Sequence, residues 1–120
     1  MNIVISGSSG FLGGHLSRHL KGHINIIKTP GRHIKQNFNN DVGLKNISFF
    51  IHLSEPSLKS EYNAIKSLAL IDNVKILSKK FKSRLIYFSS SSVYGDQSKE
   101  SYNERSPVNE SDEYTKLKLN

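Results

Sequence analysis

Tyr114 and Lys118 stand four residues apart in "EYTKLKLN", at the end of the 120-residue sequence. On a helix that spacing puts both side chains on one face, one turn from each other. An ammonium beside a phenol favours the phenolate and draws the tyrosine pKa down from its reference of about 10. A tyrosine tuned in this way can trade a proton with a hydroxyl near neutral pH. Taken alone, the pair reads as an ordinary amphipathic pair on a surface helix. It gains meaning from a second group far away in sequence. "SGSSGFLGGHL", residues 6–16, places Gly7, Gly10 and Gly13 three apart, directly after the apolar run "NIVI". Between a strand and a helix, the first glycine permits a sharp turn and the second a close approach to a pyrophosphate. The third lets helix and strand pack together. Amides at the helix N-terminus then face the anion, helped by the helix dipole. The alternative is a tight turn with a small-residue packing face; the strand–turn–helix context puts nucleotide binding ahead of it.

These residues need elements to hold them. Asn2 to Ser6 reads as a short buried strand, and Phe11 to Lys21 as a helix with Leu12, Leu16 and Leu20 on one face and Gly22 at its end. "INII", 24–27, reads as a second strand and "TPGR", 29–32, as a turn. "ISFFIHLS", 47–54, is apolar on both faces, as a central parallel strand should be. A helical pattern over 60–82 carries Ile65, Leu68, Ile71, Ile76 and Leu77, and "RLIYFSS", 84–90, reads as the next central strand. A polar loop covers 95–111, and Ser111 would cap a last helix from Asp112 to Leu119. The alternation of strand and helix predicts an α/β fold with a Rossmann-like parallel sheet and flanking helices, in a single domain over residues 1–120.

Composition narrows the function classes. There is no cysteine, hence no disulfide or thiolate metal site. No apolar run approaches the length of a membrane span, which argues against a membrane partner and for a cytoplasmic protein. The net charge is +7, concentrated in residues 1–95, with 13 Lys/Arg against 4 Asp/Glu. Such a basic body suits an anionic ligand or is a solvated lysine surface. The lysines are scattered and no nucleic-acid motif accompanies them, which argues against a nucleic-acid binder. His15, His19 and His23 are four apart, but no acid of a zinc pattern joins them, so no metal site is expected.

"GSSGFLG" resembles the fingerprint of the extended short-chain dehydrogenases/reductases, the NAD(P)-dependent nucleotide-sugar epimerases and dehydratases. Three further stretches resemble that family in its order: "FFIHLSEPS" its fourth strand, "LIYFSSSSVYGD" its fifth strand and following turn, and "NERSPVNESDEYTKLK" its loop into Tyr-x-x-x-Lys. The resemblance covers nearly all of this chain and only the N-terminal part of a family member. It implies an NAD or NADP cofactor held by Gly7, Ser9, Gly10, Phe11, Leu12, Gly13, Leu53 and Ser54, with Tyr114 and Lys118 reaching the nicotinamide ribose. It implies Ser90, Tyr114 and Lys118 as the catalytic set, with Ser90 hydrogen-bonded to the substrate oxygen and Tyr114 as acid/base on a nucleotide sugar. Family members often pair through the helix before the serine turn and the Tyr–Lys helix, which implies a homodimer.

The sequence departs from the family pattern in four places. No acid follows the second strand, where one normally binds the adenosine ribose. Lys28 and Arg32 stand there instead, and an arginine fork matches a 2′-phosphate, so NADP is favoured over NAD. Glu55 replaces a small alanine and is expected to crowd or repel a cofactor. Residues 33–46 barely hold a third strand with its own helix. The sequence ends two residues past Lys118, so the Tyr–Lys helix is expected to be short and frayed, the substrate domain absent and turnover slight. The other reading is a non-catalytic dinucleotide-binding or regulatory remnant.

Overall fold

The structure is a computed structural model that describes residues 1–29, 46–55, 64–95, 101–110 and 113–119. Two compact units are present, Met1–Phe88 and Ser89–Asn120.

In the first unit the elements run β1 (Asn2–Ser6), α1 (Phe11–Leu20), β2 (Asn25–Thr29), β3 (Ile47–His52), α2 (Ala64–Lys80) and β4 (Arg84–Tyr87). All described strand pairings are parallel, in the order β2-β1-β3-β4. The parallel α/β sheet expected from the alternation is therefore present. The step from β1 to β2 and the step from β3 to β4 run in opposite directions across the sheet. Right-handed crossovers must then put α1 and α2 on opposite faces. The two core clusters show this. Ile3, Ile5 and Ile51 pack with Leu16 and Leu20 of α1, while Val4, Phe50 and Ile47 pack with Val74 and Leu77 of α2. Residues alternate between these faces along β1, which is why "IVI" is apolar throughout, and each fully buried side chain of this size contributes about 1.5–3 kcal/mol.

Three details differ from the sequence reading. The second strand begins one residue later, at Asn25, and continues through Lys28 and Thr29, which pair in register with Ile5 and Ser6. The turn at Gly22, with φ +90°, and the His23 N–H to Leu20 carbonyl bond take up residues before it, and backbone pairing carries the strand past its apolar run. On α2, Val74 and Leu77 carry the packing, whereas Ile65, Leu68 and Ile76 are exposed. The strand expected to be central, β4, ends the order of the described sheet, with Ile86 and Phe88 exposed. Arg32 and the short stretch between strands lie outside the described residues, as do Ser111 and Asp112.

The second unit holds a turn of 3-10 helix, Ser91–Tyr94, and α3, Glu113–Leu119. The two pack on each other. The Asn109 N–H donates to the Val93 carbonyl at 2.7 Å, and Tyr94 stacks on Tyr102 with ring centres 5.0 Å apart. Gly95, at φ +67°, turns the chain where a side chain would meet Asn109. Although α3 has only seven residues, Thr115, Leu117 and Lys118 in it are buried. Packing rather than helix propensity sustains an element this short.

Candidate functional site

The sheet order reverses between β1 and β3, and the crevice at the carboxyl ends of those strands is where open α/β sheets bind ligands. The glycine turn lies there. Gly7 adopts φ +73°, and its N–H donates to the Thr29 carbonyl at 3.1 Å, tying the turn to the end of β2. A Cβ on Gly7 would stand 3.0 Å from the backbone of Leu53 and Ser54, so the turn lies directly against the exit of β3. A Cβ on Gly13 would collide with the Gly7 carbonyl oxygen and stand 2.8 Å from Gly7 C and Ser8 Cα. These are backbone atoms with no rotamer to move into, so α1 can sit on the turn only without a side chain at Gly13.

Gly10 caps α1 with an extended backbone, and no side chain accepts from the first turn. The helix ladder starts at the Gly14 N–H to Gly10 carbonyl bond, 2.8 Å. The amides of Phe11, Leu12 and Gly13 therefore have no acceptor among the described residues, and they carry the positive end of the helix dipole. The side chains of Ser9, Phe11 and Leu12 are exposed, Phe11 to 81%.

Beneath the mouth lies a polar layer not anticipated from the sequence. Ser6 Oγ is 2.6 Å from His52 Nδ1 and accepts the Leu53 N–H at 3.2 Å. The hydroxyl thus bridges the Leu53 N–H and the imidazole Nδ1. His52 is buried and stacks on Tyr87, with ring centres 5.9 Å apart and planes 13° from parallel. This arrangement fixes the Leu53–Ser54 peptide against which Gly7 turns. Two further hydroxyls, Thr29 at the end of β2 and Ser54 past the end of β3, are buried and find no hydrogen-bond partner among the described residues. Each such group costs about 1–3 kcal/mol unless something pairs with it. Free amides, a glycine cradle and unpaired hydroxyls at the switch point together fit a phosphate-and-ribose ligand such as a dinucleotide.

Glu55, expected to crowd a cofactor, has a partner on α2. Its carboxylate is half-buried and accepts the Ser67 hydroxyl of α2 at 2.9 Å, so it is drawn onto that helix. His15, His19 and His23 are exposed, and His15 packs edge-on against Phe11. No group of metal-holding side chains occurs among the described residues.

In the second unit Ser90 caps the 3-10 turn. Its Oγ accepts the Ser92 N–H at 3.2 Å and the Ser92 hydroxyl at 2.9 Å. That is the structural role open to any serine at a strand end, and it leaves the Ser90 hydroxyl hydrogen to donate. Tyr114 and Lys118 share one face of α3, with Lys118 Nζ 5.5 Å from the centre of the Tyr114 ring. The ammonium thus lies in the electrostatic reach of the aromatic system. Gly7, Ser9, Gly10, Phe11, Leu12, Gly13, Leu53 and Ser54 lie in one unit, and Ser90, Tyr114 and Lys118 lie in the other.

No protein-family model matches the chain, and no curated protein matches it in sequence. Solved structures do. A dTDP-4-dehydrorhamnose reductase from Clostridium acetobutylicum is similar at a TM-score of 0.81 and 22% identity, over 99% of this chain and 46% of its own. RMD from Pseudomonas aeruginosa, complexed with NADPH, is similar at 0.70 and 21%, over 98% and 45%. dTDP-glucose 4,6-dehydratase from Bacillus anthracis, in complex with NAD, is similar at 0.64 and 18%, over 98% and 47%. The fold is therefore a Rossmann-like α/β fold shared with nucleotide-sugar reductases and dehydratases. The chain spans about half the length of the structures it matches.

Proposed function

We propose that this chain is the dinucleotide-binding part of an NAD(P)-dependent enzyme that epimerises, dehydrates or reduces a nucleotide sugar. The observation that carries the reading is the mouth of α1: three amides without acceptors among the described residues, seated on a glycine turn at the switch point of the sheet. Similarity in fold to structures solved with NADPH and with NAD supports it.

In this reading the amides of Phe11, Leu12 and Gly13, with Gly7, Ser9 and Gly10, hold the bridging phosphates. Leu53 and Ser54 flank the nucleotide, and the Thr29 and Ser54 hydroxyls gain partners. A bound nicotinamide supplies hydride transfer to or from a sugar carbon. Tyr114 takes the proton from the hydroxyl on that carbon or returns it. Lys118, whose Nζ lies 5.5 Å from the centre of the Tyr114 ring, hydrogen-bonds the nicotinamide ribose. Ser90 donates its hydroxyl hydrogen to the same substrate oxygen. The basic residues Lys28 and Arg32 favour NADP over NAD.

Titration of the folded chain with NADPH and NADH, followed by nicotinamide fluorescence, tests the cofactor assignment. Binding with a Kd below about 1 mM is expected, and no binding of either at that level overturns the reading. Turnover of a nucleotide sugar that falls about 100-fold or more in Tyr114→Phe supports the acid/base role. Dinucleotide binding without turnover leaves a non-catalytic dinucleotide-binding chain.

A further inference from the structure

A groove of about 330 Å³ runs between α1 and β2, lined by Ser17, Arg18, Lys21, Gly22, Ile24, Ile26 and Lys28. Three of these residues are cationic, and no acid occurs anywhere in residues 1–29. None of Arg18, Lys21 and Lys28 has an ion-pair partner among the described residues. Ser17, which also lines the groove, is 4% exposed, and its hydroxyl finds no hydrogen-bond partner there. Among the described residues, three cations without an ion-pair partner and a buried hydroxyl without a hydrogen-bond partner share one groove, an arrangement that suits an anion with acceptor oxygens.

The position of Arg18 says which anion. The point where a Cβ of Gly14 would stand is 3.6 Å from Arg18 Nη1 and 3.8 Å from the Ser8 carbonyl oxygen. The guanidinium therefore folds back one helical turn, over the space that Gly14 leaves open, toward the glycine turn. Lys28 comes from β2 on the face that α1 covers, since it pairs in register with Ile5, whose side chain packs in the α1 cluster. It is one residue before Thr29, a neutral side chain at the strand end where an acid would repel a phosphate. The isoleucines on the groove floor lower the local dielectric, so each charge acts more strongly than in water.

Resting on the dinucleotide reading above, we infer that Arg18, supported by Lys28, is the residue that selects NADP over NAD by taking the adenosine 2′-phosphate. The selectivity then originates on α1 as well as in the segment after β2 where sequence reasoning placed it. The guanidinium offers a planar fork of donors that matches phosphate oxygens, which a lysine at the same point does not.

The test is fluorescence titration of residues 1–120 with NADPH and with NADH, in the wild type and in Arg18→Ala, Arg18→Lys and Lys79→Ala, each checked for folding by circular dichroism. The wild type is expected to bind NADPH about tenfold or more tightly than NADH. Arg18→Ala is expected to bring the two affinities together, Arg18→Lys to recover only part of the difference, and Lys79→Ala, on α2, to retain it. Raising salt from about 50 to about 500 mM should shrink the NADPH advantage. If Arg18→Ala keeps the full NADPH preference, or the wild type binds NADH as well as NADPH, the 2′-phosphate assignment is wrong while the dinucleotide reading survives. If neither nucleotide binds the wild type, both fall. Should Arg18→Ala prove unfolded, competition on the wild type decides: adenosine 2′,5′-bisphosphate displacing NADPH well below the concentration AMP needs supports the inference, and equal potency overturns it.

Discussion

The mouth of α1 and the serine, tyrosine and lysine of the second unit are built from different material. The mouth is backbone. Its working groups are amides and carbonyls, held by what is missing from Gly7 and Gly13 and by two strand ends that meet there. The catalytic candidates are side chains on a four-residue 3-10 turn and a seven-residue helix. A backbone site tolerates no added atom but is indifferent to most chemistry around it. A side-chain site tolerates packing changes but depends on the identity of single functional groups.

Substitutions can break or sharpen that contrast. The largest loss of stability is expected from Phe50→Ala, because Phe50 is wholly buried in the α2-side core and its loss leaves a cavity between the sheet and α2. About 3–5 kcal/mol should disappear from the unfolding free energy, measured by denaturant titration. Gly13→Ala should come next. The new methyl meets immovable backbone, so roughly 3 kcal/mol of overpacking is expected, with dinucleotide affinity falling on the order of 100-fold in a titration. Ser6→Ala removes the hydrogen-bond partner of His52 Nδ1 and one acceptor of the Leu53 amide. A cost of about 2 kcal/mol is expected from the stranded buried nitrogen, read from the thermal midpoint. Ser90→Ala should cost least, about 1 kcal/mol for one lost cap on a partly exposed turn. A Ser90→Ala variant less stable than Gly13→Ala would reverse the comparison and make the second unit the more tightly specified of the two.

Much of this was legible in the chain itself. Unbroken apolar runs at 3–5 and 49–51 mark strands buried on both faces, and both proved to be the interior strands β1 and β3. The glycine spacing between a strand and a helix marked the turn, because only a residue without a Cβ meets its two demands at Gly7 and Gly13. The end of β2 was misread because hydropathy stops at Ile27, while ladder pairing continues through two polar residues. The Glu55–Ser67 contact was not legible, because Ser67 is twelve residues on and is brought near only when α2 docks.

Sequence alone determined the α/β class, the position of the glycine turn and the spacing of Tyr114 and Lys118, since periodicity and steric permission are local properties of the chain. Tertiary structure alone decided the rest. It buried Ser6 with His52 across 46 residues of sequence, left the Thr29 and Ser54 hydroxyls without partners among the described residues, and turned Arg18 back over Gly14. Each of these depends on which strands become neighbours and in what register, and no pattern within a single segment encodes that pairing.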